Sequence, residues 1–113
     1  MGAMKIIFDY PPKELSPNAR VHWAVLAKKK SKYKNDCHII AKMNLPLIEH
    51  YEIPLKITFH PRTANKVDMD NCIAAFKAGQ DGIANAWGVD DSRFNPEYHI
   101  GEPIKHGRVV IEI

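Results

Sequence analysis

Asp68 and Asp70, two apart in Val67-Asp68-Met69-Asp70-Asn71, are the residues of this 113-residue chain best suited to chemistry. On an extended segment such a pair shares one face, which brings the two carboxylates close together. Like charges so placed push at least one pKa up unless a cation neutralises them. An all-oxygen donor set suits magnesium, or manganese as its substitute, better than zinc. The same string is also a good helix start, with Asp70 or Asn71 accepting the first free backbone N–H groups. An EF-hand loop is excluded, because Cys72 and Ile73 stand where a ligand and a glycine are required.

A second pair, Asp90-Asp91, follows Gly88-Val89. A chain returning from a helix there could bring Asp91 beside the first pair as a third ligand, although an isolated Asp-Asp-Ser also reads as a solvated turn. Lys77 lies seven residues after Asp70 and four before Asp81, so on a helix the three share a side. A lysine there could hold a phosphate oxygen or stabilise the charge that develops as a phosphodiester breaks. It could equally form an exposed ion pair with Asp81, worth little.

The net charge of +3 is modest, but its distribution is uneven. Between Leu15 and Asn35 stand Arg20, Lys28, Lys29, Lys30, Lys32 and Lys34 with no acid among them and Tyr33 interleaved, whereas residues 68–91 hold five of the thirteen acids. Basic clusters on one element track phosphates, and they also make ordinary solvated faces.

The elements that must position these residues follow from periodicity. Lys5–Tyr10 reads as a strand stopped by Pro11-Pro12, and Ala19 to about Met43 as a helix opened by Ser16-Pro17-Asn18 and ended by Pro46. Val21, Val25, Leu26, Tyr33, Cys37, Ile40 and Met43 are its apolar positions. Leu55–His60 alternates as a half-buried strand does, and Asn71–Trp87 is a second helix with Gly88 as its stop and Ile73, Phe76, Ile83 and Trp87 as its buried stripe. Tyr98–Ile100 and Arg108–Ile113 are the last strands. The result is an α/β fold of order β-α-β-α-β-β, a small mixed sheet with two main helices in a single domain from residue 4 to 113. Met1-Gly2-Ala3 reads as a cloning remnant ahead of a native Met4. No apolar run approaches the ~20 residues needed to span a bilayer, so a soluble protein is expected. Cys37 and Cys72 form no C-x-x-C pair and read as reduced core residues, and the six histidines have no metal-ligand spacing.

Three stretches together resemble the RusA-like endodeoxyribonucleases, the Holliday-junction resolvases common in phages and prophages. They are Leu15-Ser-Pro-Asn-Ala-Arg20-Val-His-Trp23, Asp68-Met-Asp70-Asn71, and Asp81-Gly-Ile83 followed by Gly88-Val-Asp90-Asp91-Ser92. In order and spacing the resemblance covers most of the chain. It implies a homodimer that cleaves four-way DNA junctions by paired symmetric nicks in recombination and repair, using magnesium, in the cytoplasm of a bacterial host. The family's catalytic aspartates correspond to Asp68, Asp70 and Asp91. Its best-known members carry an essential lysine one helical turn after the second aspartate, where this chain has Ala74; Lys77 is the substitute and Lys66, in the preceding loop, a second candidate. Arg20, the lysines from 28 to 34 and Lys66 would then hold DNA. The alternatives are a nuclease of broader branched-DNA specificity and a branched-DNA-binding module without catalysis. A sugar-nucleotide transferase using Asp-x-Asp is disfavoured, because 113 residues leave no room for its nucleotide-binding domain.

Overall fold

Period-two alternation sorts Ile53, Leu55, Ile57 and Phe59 to one side of a strand, and these four are buried while Pro54 and Lys56 between them are exposed. This strand is β2, Ile53–His60, in the computed structural model, which describes residues 4–113. Met1-Gly2-Ala3, read above as a cloning remnant, lie outside the described residues. The other strands are β1, Lys5–Phe8, β3, Phe94–Ile100, and β4, Arg108–Glu112; the helices are α1, Trp23–Lys42, and α2, Met69–Trp87. Short 3-10 turns at Lys13–Leu15 and Asp91–Arg93 complete the order. The expected β-α-β-α-β-β succession and mixed sheet are present in a single compact domain.

The sheet runs β1-β4-β2-β3. β4 pairs antiparallel with both β1 and β2, whereas β2 and β3 are parallel, joined through α2 as a parallel pair requires. Ile6, Phe8, Val109 and Ile111 join the β2 residues on the face covered by the helices. On the opposite face the register aligns Lys5, Glu112, Lys56 and Glu97 in one row of alternating charge. Cross-strand pairs of opposite sign support this register by roughly 0.2–1 kcal/mol each.

Helix α2 packs by its stripe Cys72, Phe76, Gly79, Ile83 and Trp87. Phe76, 0% exposed, meets the Phe59 ring edge-on at 5.8 Å between centroids and Tyr33 of α1 at 6.3 Å. Gly79 and Gly82 let α1 approach: a Cβ on Gly82 would lie 2.3 Å from the Lys34 carbonyl oxygen, and one on Gly79 would lie 2.7 Å from the Tyr33 ring. The Trp87 indole N–H donates to the Ala41 carbonyl at 3.1 Å, closing the far end of the crossing. Gly88 ends α2 in the left-handed conformation at φ 68, as its position after Trp87 predicts.

Both helix starts differ from the sequence expectation. α1 opens at Trp23 rather than Ala19, because the Ser16 hydroxyl accepts from the Asn18 amide within its own turn and the His22 ring instead accepts from the Ala24 amide. Arg20 therefore stands in the loop before α1 and not on it. α2 opens at Met69 because the Asp68 carboxylate caps it. The burial of α1 is also uneven: Tyr33, Cys37 and Ala41 are buried, but Val25 and Met43, expected on its apolar face, are exposed, and so is Trp23 at 76%. Ahead of Tyr33, α1 touches the core only through the half-buried Leu26. Cys37 and Cys72 are free and buried, as expected, and burial pushes the Cys37 thiol up to about 12, which leaves it unreactive at neutral pH.

Candidate functional site

Asp68 is extended at φ -94, ψ 125, and its Oδ1 accepts from the backbone amides of Asp70 at 2.8 Å and Asn71 at 3.4 Å. Asp70 already sits in the first helical turn, where its charge faces the positive end of the helix. The pair is therefore not carried on an extended segment, and the shared-face geometry expected for one does not apply. The capping role that the string also allowed is realised, by Asp68 rather than by Asp70 or Asn71. Among the described residues, Asp68 Oδ2 and both oxygens of the exposed Asp70 accept no protein hydrogen bond.

Two turns further along α2, Lys77 reaches two carboxylates at once. Its Nζ lies 2.9 Å from Asp81 Oδ1 and 2.6 Å from Asp91 Oδ2. The first contact is the helical i, i+4 pair that the spacing allows. The second depends on the turn after Gly88, where Asp90 caps the Asp91–Arg93 3-10 turn through the Ser92 amide at 2.9 Å and so presents Asp91 to the middle of α2. Asp91 thus returns to α2, as the second acidic pair suggested, but to Lys77 rather than to Asp68 and Asp70. At a rise of about 1.5 Å per residue, Lys77 and Asp70 are set about 10 Å apart along the helix. Among the described residues, no three His, Cys, Asp or Glu side chains are grouped closely enough to hold a metal ion.

The pairings set the charge states. The hydrogen bonds that Lys77 donates to Asp91 and then to Asp81 raise its pKa above its ordinary value, so the side chain is an ammonium at neutral pH. It can donate and neutralise, but it cannot serve as a general base. The Asp91 pKa is lowered, chiefly by the Lys77 hydrogen bond. Replacing Lys77 with Gln is expected to raise the Asp91 pKa toward the ordinary carboxylate range, a shift that a carboxyl-carbon NMR titration would read. An unchanged titration would show that the Lys77–Asp91 contact does not persist in solution.

Two clefts flank the first half of α2 and share Ala75. One, about 300 Å³, brings Lys30 of α1 to Lys77 and Asp81. The other, about 380 Å³, lies between the Tyr10–Ser16 segment and the start of α2, with Lys66 and Arg62 lining it beside Asp68. Of the basic helix, Lys28, Lys29, Lys30 and Lys34 are exposed and outside any ion pair among the described residues, whereas Lys32 pairs with Asp36 at 2.7 Å, an acid just past the segment counted in the sequence. Tyr33, read as interleaved with these lysines, does not share their face. It is buried, and its hydroxyl donates to the Asp9 carbonyl at 2.6 Å. Arg62 had no motif to mark it; its only sequence signal is a cation just after a strand and a proline.

No protein-family model matches the chain. A protein of Xylella fastidiosa (strain Temecula1), described as an uncharacterized protein, is 39% identical to it over an alignment that covers 96% of this chain and 74% of that one. The two belong to one family. At this identity over nearly the whole chain, the two proteins share the fold. No helix among the described residues is long and apolar enough to cross a membrane.

Proposed function

We propose that the protein is a magnesium-dependent, structure-selective endodeoxyribonuclease of the RusA-like kind, acting as a homodimer on four-way DNA junctions. The observation that carries this reading is the meeting of Lys30, Lys77, Asp81 and Asp91 beside α2, an acid and lysine cluster open to solvent and flanked by the basic helix α1. In donor type the acids suit a hard cation: Asp68 Oδ2 and both oxygens of Asp70, at the start of α2, carry no protein hydrogen bond among the described residues, whereas Asp91 stands with Lys77 about 10 Å along the helix and would have to leave that lysine to join them. Magnesium held there would supply a water acidic enough to attack phosphorus.

The chain's own residues account for the rest. Lys77, charged at neutral pH, neutralises Asp91 in the free protein and is long enough to turn to a phosphate oxygen once DNA is bound. Lys28, Lys29, Lys30 and Lys34, with Arg20 in the loop before them, are free to meet phosphates, which makes binding sensitive to salt and to shape rather than to sequence. A dimer supplies two sites for two symmetric cuts. Recombination and repair, inside the host cell, are the processes in which such an activity serves.

A binding module without catalysis draws on one specific observation, the use of Asp68 as a helix cap. A junction-nicking assay with and without magnesium, run beside a linear duplex of the same sequence, separates the readings. Paired nicks in opposed strands of the junction support resolution, and equal cutting of forks or flaps supports the broader nuclease. Tight binding with no nicking in magnesium or manganese would leave only the binding module.

A further inference from the structure

The cleft of about 380 Å³ beside Asp68 is walled by three cations, Lys13, Arg62 and Lys66, none of which belongs to an ion pair among the described residues. Arg62 is contacted from two separate segments, Tyr10-Pro11 and Gly107. Its Nη2 donates to the Pro11 carbonyl at 3.1 Å, and its guanidinium carbon lies 5.0 Å from the centre of the Tyr10 ring. Its stem occupies space that only a glycine at 107 leaves, since a Cβ there would come within 3.1 Å of Arg62 Cγ and 2.9 Å of Tyr10. Tyr10 is itself pinned by its hydroxyl, 3.5 Å from the Cys72 sulfur.

Arg62 is exposed but oriented by these contacts, and it has no carboxylate partner among the described residues. Its remaining N–H donors form the planar fork that recognises phosphate. Across the cleft the half-buried Asn71 carboxamide makes no side-chain hydrogen bond among the described residues, leaving a donor and an acceptor side by side, the pattern that pairs with the edge of a nucleobase. The volume falls at the small end of the roughly 300–1,000 Å³ typical of sites for small ligands, room for one nucleotide and not for a duplex.

We propose that this cleft receives one unpaired nucleotide of the bound DNA strand, with its phosphate on Arg62 and its base edge on Asn71. The inference rests on the nuclease reading, since it is the placement beside Asp68 that makes this nucleotide a neighbour of the bond to be cut. It adds what the basic helix cannot supply, a contact able to distinguish bases. Extruding a base is cheapest where pairing is already strained, which is the situation at the exchange point of a junction.

The test uses the full chain and a fluorescein-labelled four-way junction in EDTA, with binding followed by anisotropy over a range of salt. Arg62→Ala is expected to weaken binding about ten- to a hundredfold and to lower the salt slope by about one. Arg62→Lys is expected to keep the slope but recover only part of the affinity, which a merely structural role for Arg62 would not produce. Should Arg62→Ala unfold, Lys66→Ala and the wild-type protein carry the test. In a ¹⁵N spectrum of wild type titrated with a 5′-phosphorylated mixed-sequence tetranucleotide, the Asn71 side-chain and Gly107 amide signals should move, and with Lys66→Ala they should move only at higher concentration. Wild-type affinity and slope in a folded Arg62→Ala, or Asn71 and Gly107 signals that stay fixed while others move, would overturn the nucleotide cleft and leave the nuclease reading standing. A wild-type protein that binds no junction at any salt would overturn both.

Discussion

Asp70→Asn is expected to abolish magnesium-dependent nicking of a four-way junction, by at least about a hundredfold, since even the outer partners of metal ligands are worth ten- to a hundredfold. The fold should survive. Asp70 is exposed, its side chain holds no protein hydrogen bond among the described residues, and its contribution as a charge in the first turn is about 0.3–1 kcal/mol. Junction affinity in EDTA should be equal to or above that of the wild type, because one negative charge leaves the surface proposed to face DNA. A nicking gel in magnesium, a thermal melt and an anisotropy titration together check the three statements. Normal cleavage by a folded Asp70→Asn would remove Asp70 from the chemistry and the acidic start of α2 with it. Asp68→Asn is the informative companion: asparagine caps helices as well as aspartate does, so any loss of nicking there reports on charge rather than on the helix start.

Phe76→Ala is expected to cost about 3–5 kcal/mol, the usual range for deleting a fully buried phenylalanine. Phe76 is the side chain on which three elements meet, with Phe59 of β2 and Tyr33 of α1 both edge-on to its ring. The glycines beside it restrict how far the helices can close over the space left behind, which places the cost toward the upper end. For a domain whose total stability is about 5–15 kcal/mol this is a large share, and the melting temperature should fall by at least about 10 °C. Phe76→Leu should recover much of the loss. Urea unfolding of the three proteins by circular dichroism reads the difference; a midpoint for Phe76→Ala close to that of the wild type would mean that the helices are not joined through this ring.

Much of the architecture was legible because it depends on local pattern. The alternation in Leu55–His60, the stripe through Phe76, Ile83 and Trp87, and Gly88 as a left-handed stop each carry their own signal within a few residues. Helix starts were less legible because several polar residues compete for the same amides. Ser16 and Asn18 look like a cap yet satisfy each other, and His22 takes the role three residues beyond the expected start at Ala19. Asp68, Asp70, Lys77 and Asp91 could all be picked out as chemical residues, but their grouping could not. It depends on how far the chain travels after Gly88 before turning back, and that distance puts Asp91 opposite Lys77. The Arg62 cleft left almost no trace, since Tyr10, Arg62, Cys72 and Gly107 are brought together only by the fold.

The hydrogen at Gly82 has a mechanical consequence. With a Cβ excluded by the Lys34 carbonyl, the two helices touch backbone to backbone, and no intervening side chain can flex to change their spacing. The backbones that carry the lysines of α1 and the acids of α2 are therefore held at one spacing where Gly82 meets Lys34. Any side chain larger than hydrogen at position 82 would force the two backbones apart and widen the gap between the basic and the acidic helix.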